Sequence, residues 1–185
     1  MALSEYKTLL TEAREIASRP ELAQTWSAPA DLRWFWEALR RAGYRDRTHP
    51  RVADYCAGAG FFLLPWRGNP RLTLRINDLD ERWGPLYEKW YPGASVTSAD
   101  LRALPDADGS QDLVLLNPPV LDSDVELVAD AIAVGAAKLR SGGLLALNAP
   151  SGTPLPPSVA ERDRATYVLG VHSSIKFDRI TAVRV

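Results

Sequence analysis

The chain has 185 residues with a formal net charge of -1, 46% hydrophobic residues, 24% charged residues and one cysteine. This length and composition predict a single globular domain, and no apolar run approaches the roughly 20 residues that span a bilayer. The near-zero charge excludes a general electrostatic attraction to nucleic acid, so any such contact must be local. There is no apolar signal region at the start, and the lone Cys56 cannot form an internal disulfide. We therefore expect a cytoplasmic protein without a membrane partner.

Helical spacing of apolar residues predicts a first helix over residues 4–17 and a second from about residue 29 to Gly43. After Pro50 the pattern changes to short apolar runs that alternate with helical segments, which is typical of an α/β fold. The expected strands cover residues 51–56, 71–78, 94–99, 112–117 and 143–148, and short helices are expected over 60–67 and 80–91.

A longer amphipathic helix is predicted in the C-terminal half of the chain. Ser123 and Glu126 have the spacing of a capping box, which marks its start. Its apolar stripe extends to Leu139, and the pair Gly142 and Gly143 is expected to end it before the fifth strand.

The last 30 or so residues predict a short helix followed by antiparallel strands. Ser158 and Glu161 repeat the capping-box spacing, so we expect a helix over about 158–165. Residues 166–177 and 180–185 are both rich in β-forming residues, with two residues between them, which favours a hairpin. The sheet should therefore be mixed.

A glycine-rich turn follows the first predicted strand. Residues 54–60 read Asp-Tyr-Cys-Ala-Gly-Ala-Gly, so Gly58 and Gly60 precede the next helix. In an open α/β sheet ligands collect outside the carboxyl ends of the strands, and glycines let the backbone approach them closely. A dinucleotide fingerprint would require a small residue where this chain has Leu63, which disfavours NAD. The alternative is a simple strand-to-helix turn.

Aspartates end three consecutive predicted strands, at positions 54, 78 and 100. Asp78 can accept hydrogen bonds from both hydroxyls of a ribose, whereas Asp80 is better placed to cap the following helix. Asp100 can accept from an adenine amine, with Leu101 against the ring. Taken singly, each aspartate has the alternative role of a cap or turn residue.

These features resemble the motifs of class I S-adenosylmethionine-dependent methyltransferases, from about residue 29 to the C-terminus and including residues 139–145. The resemblance implies an α/β, Rossmann-like class I methyltransferase fold: a seven-stranded, mostly parallel sheet with an antiparallel C-terminal strand and helices on both faces. It also implies one domain, with residues 1–48 as an N-terminal helical segment or lid and 49–185 as the core. S-adenosylmethionine would be the cofactor, bound by Asp54, Cys56, Gly58, Gly60, Phe61, Asp78, Asp100 and Leu101.

The second chemical motif is Asn117-Pro118-Pro119-Val120, directly after an apolar strand. A planar amine is a poor nucleophile because its lone pair is delocalised. The side-chain oxygen of Asn117 and the carbonyl of Pro118 could accept its two N–H bonds and direct the lone pair at an electrophile. The alternative is a strand that ends in a rigid turn.

This motif resembles the Asn/Asp-Pro-Pro-aromatic sequence of amino-methyltransferases. That family acts on adenine in DNA or RNA, on guanine in RNA or on a glutamine amide of a protein. Val120 replaces the aromatic residue, whose stacking is worth about 1–3 kcal/mol per base. Tyr6, Trp26 and Trp34 lie in the N-terminal segment, and either tryptophan could supply the missing ring.

The leading hypothesis is an N-methyltransferase that acts on adenine in nucleic acid. Few residues remain for target recognition, so a partner subunit or a second copy of the chain could supply it. A second hypothesis is a non-catalytic module in a larger assembly, and a third is an NAD-binding oxidoreductase. No residues have metal-ligand spacing, and none predict a hydrolase. The best local site for phosphates is Arg40, Arg41, Arg45, Arg47 and Arg51, with a solvated helix end as the alternative.

Overall fold

A computed structural model describes residues 3–17, 29–118, 125–149, 164–167, 171–172, 175–176 and 179–184. Its helices are α1 (Leu3–Ile16), α2 (Pro29–Arg41), α3 (Gly84–Trp90) and α4 (Val125–Lys138). Short 3₁₀ helices cover Phe61–Trp66, Glu81–Trp83 and Leu101–Ala103. The strands are β1 (Arg51–Asp54), β2 (Thr73–Asn77), β3 (Ser95–Thr97), β4 (Gln111–Leu116), β5 (Leu139–Ala149), β6 (Arg164–Tyr167), β7 (Val171–His172), β8 (Ile175–Lys176) and β9 (Arg179–Arg184).

The main sheet has the strand order β3-β2-β1-β4-β5-β9-β6. Strands β1 to β5 are parallel to one another, whereas β9 is antiparallel to both β5 and β6. All six residues of β4 are buried, as expected for a central parallel strand that is covered on both faces. The predicted α/β fold with a mixed sheet is therefore confirmed.

Apolar side chains alternate between the two faces of the sheet and form two core clusters. On one face, Val52 and Leu113 pack in the cluster that also contains the buried residues of α1, α2 and α3. On the other face, Ala53 and Val114 pack in the cluster that contains α4 and Leu101. Because period-two alternation sends neighbouring strand residues to opposite sides, both faces need a helical cover. Helices on both faces are confirmed.

The two N-terminal helices belong to the first of these clusters. The Phe35 ring of α2 lies 4.4 Å from that of Phe62, and the Trp36 ring lies 4.2 Å from that of Trp66. Both partners are in the 3₁₀ helix that follows the glycine turn, so α2 covers the element next to that turn.

Within the described residues no helix is long and apolar enough to cross a membrane.

The predicted end of the long helix is wrong. Leu139 is the first residue of β5, opposite Gln111, and the pairing shifts register before Leu113 and Leu144 meet. The glycines lie inside the strand: Gly142 has φ +75°, and a Cβ at Gly143 would meet the Arg140 carbonyl oxygen at 3.0 Å. The two glycines therefore allow an irregular and crowded strand, and they do not end a helix. Ser123 lies outside the described residues.

The C-terminal predictions need two corrections. Arg164 and Ala165 are strand residues of β6, where a helix over 158–165 was expected, and Ser158 and Glu161 lie outside the described residues. The two β-rich stretches are antiparallel as expected, since Thr166 and Tyr167 pair with Thr181 and Ile180, but the two-residue connection is wrong, because β7 and β8 lie between β6 and β9. Local spacing predicted a hairpin, but β9 has long-range partners along its whole length.

The two predicted short helices agree with the structure in position, apart from their ends. The helix expected over 60–67 is a 3₁₀ helix with Pro65 inside it, since proline cannot donate to an α-helical ladder. The helix expected over 80–91 divides into a 3₁₀ turn and α3. Asp80 caps the first part by accepting from the Arg82 N–H, as predicted.

Candidate active site

Three of the residues singled out by the sequence follow adjacent strands at the carboxyl edge of the parallel sheet. Asp54 of β1 lies opposite Ile76 of β2 and Leu115 of β4. Two residues further along, Cys56, Asp78 and Asn117 lie beyond the ends of β1, β2 and β4. The strand order reverses between β1 and β4, and this is where ligands bind in open α/β sheets. The glycine turn and the Asn117 corner therefore follow adjacent strands on the same edge.

The glycine turn has two residues with left-handed backbone. Gly58 has φ +51° and Gly60 has φ +75°, which side chains other than glycine adopt at a cost. A Cβ at Gly58 would meet nothing within 4 Å, whereas one at Gly60 would lie 2.9 Å from Cε2 of Tyr91. Gly58 thus has open space beside its Cα, while Gly60 makes room for a packed ring.

Asp78 connects the turn to the end of β2. Its Oδ2 accepts from the Gly58 N–H at 2.6 Å, and its Oδ1 accepts from the Asp80 N–H at 3.0 Å. Burial raises the pKa of Asp78, and these two N–H donors oppose that rise. Each carboxylate oxygen has a second lone pair, so acceptor capacity for ligand hydroxyls remains.

Asp54 is fully buried next to this turn. In the described part of the chain neither of its carboxylate oxygens has a hydrogen bond of normal geometry. Burial, together with the charge of Asp78, raises the pKa of Asp54 to about 8, although the Cys56 N–H partly opposes the rise. An unpartnered buried carboxylate is costly, and a cationic ligand would relieve that cost. Burial also raises the pKa of the Cys56 thiol, so it stays neutral.

Asp100 serves as the cap of the 3₁₀ helix Leu101–Ala103. Its Oδ1 accepts from the Arg102 N–H at 2.9 Å, and its Oδ2 pairs with the Arg102 guanidinium at 2.9 Å. These hydrogen bonds from Arg102 lower the pKa of Asp100 to about 2. Leu101 is buried in the cluster under α4. Asp100 therefore acts as a cap, which was the alternative to a ligand-binding role. Its expected contact with adenine stays a prediction.

The sequence analysis missed Asn77, which fixes the loop that carries Asp100. The buried Asn77 amide donates to the Ala99 carbonyl at 3.0 Å, and its oxygen accepts from the Ala99 N–H at 3.0 Å and from the Thr97 hydroxyl at 2.8 Å. The chain after β3 is therefore held against β2. A polar residue next to the strand-ending Asp78 was the only signal in the sequence.

Leu79 is a second residue that the sequence analysis missed. It is 72% exposed, although Leu74 and Ile76 of the preceding strand are buried, and it lies between Asp78 and Asp80 on the carboxyl edge. An exposed apolar side chain beside a polar carboxylate is typical of a ligand site. In the sequence it stands out only as the residue between Asp78 and Asp80.

The aromatic residues expected near the ligand are placed less favourably. Phe61 is buried in the core, with its ring 5.1 Å from that of Tyr6. Neither ring is therefore presented to a ligand at this edge. Trp26 and the side chain of Trp34 lie outside the described residues.

The Asn117 corner is described in part. Asn117 is half-buried and Pro118 is buried directly after β4. Pro119 and Val120 lie outside the described residues. The structure therefore does not describe Val120, which stands where the resembling motif has an aromatic residue.

The arginine cluster lies away from this edge. Arg51 begins β1, at the amino end of the sheet, and its Nε donates to Oδ2 of Asp112 at 3.0 Å. Arg45 donates to the carbonyl oxygens of Arg40 and Tyr44 at 3.0 and 2.6 Å. The loop that carries these residues enters β1 from the opposite edge to the glycine turn. Several of the arginines thus support the protein's own structure.

No protein-family model and no curated protein matches the chain. Solved structures do match. TrmN from Thermus thermophilus superposes with a TM-score of 0.67 at 24% identity, over 93% of this chain and 52% of TrmN. A TehB-like SAM-dependent methyltransferase from Corynebacterium glutamicum gives 0.60 at 15% identity, over 99% of both chains. The T. thermophilus 16S rRNA N2 G1207 methyltransferase RsmC, in complex with AdoMet and guanosine, gives 0.57 at 18% identity, over 86% of this chain and 39% of RsmC.

These similarities extend over nearly the whole sheet and confirm the predicted Rossmann-like fold of class I methyltransferases. At such low identity they show the shared fold alone. This chain covers 52% of the length of TrmN, which is about half.

Proposed function

We propose that this chain is an S-adenosylmethionine-dependent methyltransferase that acts on a planar exocyclic amine, with adenine in DNA or RNA as the first candidate acceptor. One observation carries the proposal: the accessible Gly58 turn and the Asn117 corner follow adjacent parallel strands at the point where the strand order reverses. A donor held on one corner would face an acceptor held on the other.

The residues around the turn fit the proposed cofactor. The second lone pairs of the Asp78 carboxylate are suited to ribose hydroxyls, and the exposed Leu79 is suited to the apolar face of a base. The unpartnered Asp54 carboxylate complements a cationic group. The sulfonium of the cofactor supplies an electrophilic methyl group.

The Asn117 corner would bind and orient the acceptor. The Asn117 side-chain oxygen and the Pro118 carbonyl accept the two N–H bonds, which directs the nitrogen lone pair at the methyl carbon. A nitrogen–carbon bond forms as the carbon–sulfur bond breaks, and the cationic product nitrogen then loses a proton to water. No strong base is required of the protein, and positioning supplies most of the rate.

Guanine in RNA is the second candidate acceptor. It is favoured by the similarity to RsmC, which was solved with AdoMet and guanosine and which aligns with 86% of this chain. Both bases offer an exocyclic amine on a planar ring, so the same two acceptor oxygens would serve either. Target recognition by a partner subunit or a second copy of the chain is part of the proposal; this chain covers about half of TrmN.

A labelling experiment tests the proposal. The full chain is incubated with tritiated S-adenosylmethionine and separate pools of DNA, RNA and protein, and each pool is assayed for label. Label in a nucleic-acid pool that is absent with Asn117→Ala supports the proposal, and nucleoside digestion then separates adenine from guanine. Cofactor binding without label in any pool supports the non-catalytic module. No cofactor binding overturns the proposal and favours the non-catalytic module.

A further inference from the structure

Helix α3 and the residue that caps its C-terminus present two tyrosine hydroxyls to the glycine turn. The Tyr87 hydroxyl donates to the Gly58 carbonyl, and the Tyr91 hydroxyl donates to the Gly60 carbonyl at 2.5 Å. Residues four apart lie on one face of an α-helix, so both rings reach the same segment. Each of the two glycines with left-handed backbone at this turn thus has its carbonyl held by a phenol.

Both tyrosines are buried, with 1% exposure at Tyr87 and 2% at Tyr91. Burial raises the pKa of each phenol, and nearby carboxylates raise it further. The phenols therefore remain protonated and act as hydrogen-bond donors. The Tyr91 ring also fills the space that a Cβ at Gly60 would need, so the turn and α3 are fitted to each other.

Helix α3 is itself anchored from the N-terminal helix. The Trp90 Nε1–H donates to Oε2 of Glu12 at 2.8 Å, and the Lys89 Nζ lies 2.9 Å from Oε1 of the same carboxylate. The Arg67 guanidinium lies 4.5 Å from the centre of the Trp90 ring. These contacts fix α3 without help from the glycine turn, so the two hydroxyls are held in place before any ligand arrives.

We propose that Tyr87 and Tyr91 are positioning residues that hold the glycine turn in its ligand-binding shape. The reason is the freedom of glycine: without external restraint, a turn with Gly58 and Gly60 has many accessible backbone conformations. Fixing the two carbonyls also fixes the direction of the neighbouring N–H groups. The consequence for cofactor affinity rests on the proposed function, whereas the restraint on the turn is a property of the free protein.

The test compares Tyr87→Phe, Tyr91→Phe and the double variant with Tyr44→Phe. Tyr44 is a matched control, because it is buried and its hydroxyl has no hydrogen bond of normal geometry in the described part of the chain. Amide hydrogen exchange at Gly58 and Gly60 is measured in the cofactor-free protein, and S-adenosylmethionine affinity is measured by calorimetry.

We expect each single tyrosine variant to accelerate exchange in the turn and to weaken cofactor binding about fivefold, as loss of one net hydrogen bond implies. The double variant should lose more, and Tyr44→Phe should match the wild type in both measurements. Unchanged exchange would overturn the inference, and so would faster exchange with unchanged affinity or an equal effect of Tyr44→Phe. A wild-type protein that binds no cofactor would overturn the proposed function, while exchange would still decide whether the tyrosines restrain the turn.

Discussion

The backbone N–H of Gly58 donates to Oδ2 of Asp78 at 2.6 Å, which joins the turn after β1 to the end of β2. The bond orients the Asp78 carboxylate and, at the same time, fixes the turn. Residues that are 20 positions apart in the chain are therefore parts of one site. This connection explains why the glycine and the aspartate occur at the ends of neighbouring strands.

The two glycines of the turn should respond differently to alanine. Gly58→Ala introduces strain at positive φ, but its Cβ enters open space, so we expect a loss of about 1–2 kcal/mol of unfolding free energy with a large loss of cofactor affinity. Gly60→Ala adds a clash with the buried Tyr91 ring and should cost about 2–5 kcal/mol. Denaturant unfolding and calorimetry measure the two effects. Equal stability losses would contradict this distinction.

Asn117→Ala should abolish methyl transfer while largely retaining cofactor affinity, because the side-chain oxygen is assigned to the acceptor amine alone. We expect kcat to fall at least about 100-fold, the usual effect of removing one such acceptor or donor from an active site. Tritium transfer measures turnover. Asn69→Ala is a control, since Asn69 lies in the loop before β2 and bonds to Asp46. Turnover at the wild-type rate would remove Asn117 from the mechanism.

Asp54 should make stability depend on pH in a defined direction. Burial raises the pKa of Asp54 to about 8 in the folded protein, whereas an unfolded aspartate titrates near about 4. Its contribution is therefore complete below pH of about 4 and is lost as the pH rises toward 8. Asp54→Asn lacks this loss, so its stability relative to the wild type should rise across this range, by on the order of 5 kcal/mol at pH 8, since each of the four pKa units corresponds to about 1.4 kcal/mol.

Denaturant unfolding at several pH values measures the Asp54 effect, and the exposed Asp130→Asn on α4 is the control. A parallel pH dependence in Asp54→Asn and the wild type would show that Asp54 is ionised in the folded protein. A cationic ligand should favour the ionised carboxylate, so cofactor binding near pH 7 should release a proton. Calorimetry in buffers of different ionisation enthalpy detects that release.

Asp112 should be a major source of stability at the opposite edge of the sheet. Burial alone would raise the pKa of Asp112, but hydrogen bonds from Arg51 and Arg140 overcome it and hold the pKa at about 2. The contribution is thus complete above pH of about 4 and is lost as the pH falls through 2. Asp112→Ala should reduce the unfolding free energy by about 2–4 kcal/mol at pH 7, since it leaves two arginines unpaired.

The Asp112 effect should shrink in acid and leave cofactor affinity unchanged, because the residue is remote from the glycine turn. Denaturant unfolding at pH 7 and pH 3 measures the first expectation, and calorimetry the second. Asp108→Ala serves for comparison, since Asp108 pairs with Lys138 while its side chain is 74% exposed. A destabilisation at pH 7 no larger than that of Asp108→Ala would contradict the assigned role.

Much of the fold followed from the sequence because its signals are local. Apolar periodicity located α1, α2 and the first five strands, because an element with one buried face repeats its apolar residues at the period of a helix or of a strand. The predicted end of α4 and the predicted two-residue connection of the C-terminal strands were wrong for a common reason. Leu139 suits either a helix or a strand, and β9 suits more than one partner, so a distant strand decided each case.

The sequence by itself determined which chemical groups end the strands: the glycine turn, the aspartates at 54, 78 and 100, and Asn117. Only the tertiary structure decided what these groups contact. It engaged Asp100 with Arg102, buried Phe61 in the core and left Asp54 without a hydrogen bond of normal geometry in the described residues. It also brought Tyr87 and Tyr91 to the glycine turn. The physical reason is that strand ends follow from local pattern, whereas hydrogen-bond partners and desolvation depend on residues that are distant in the chain.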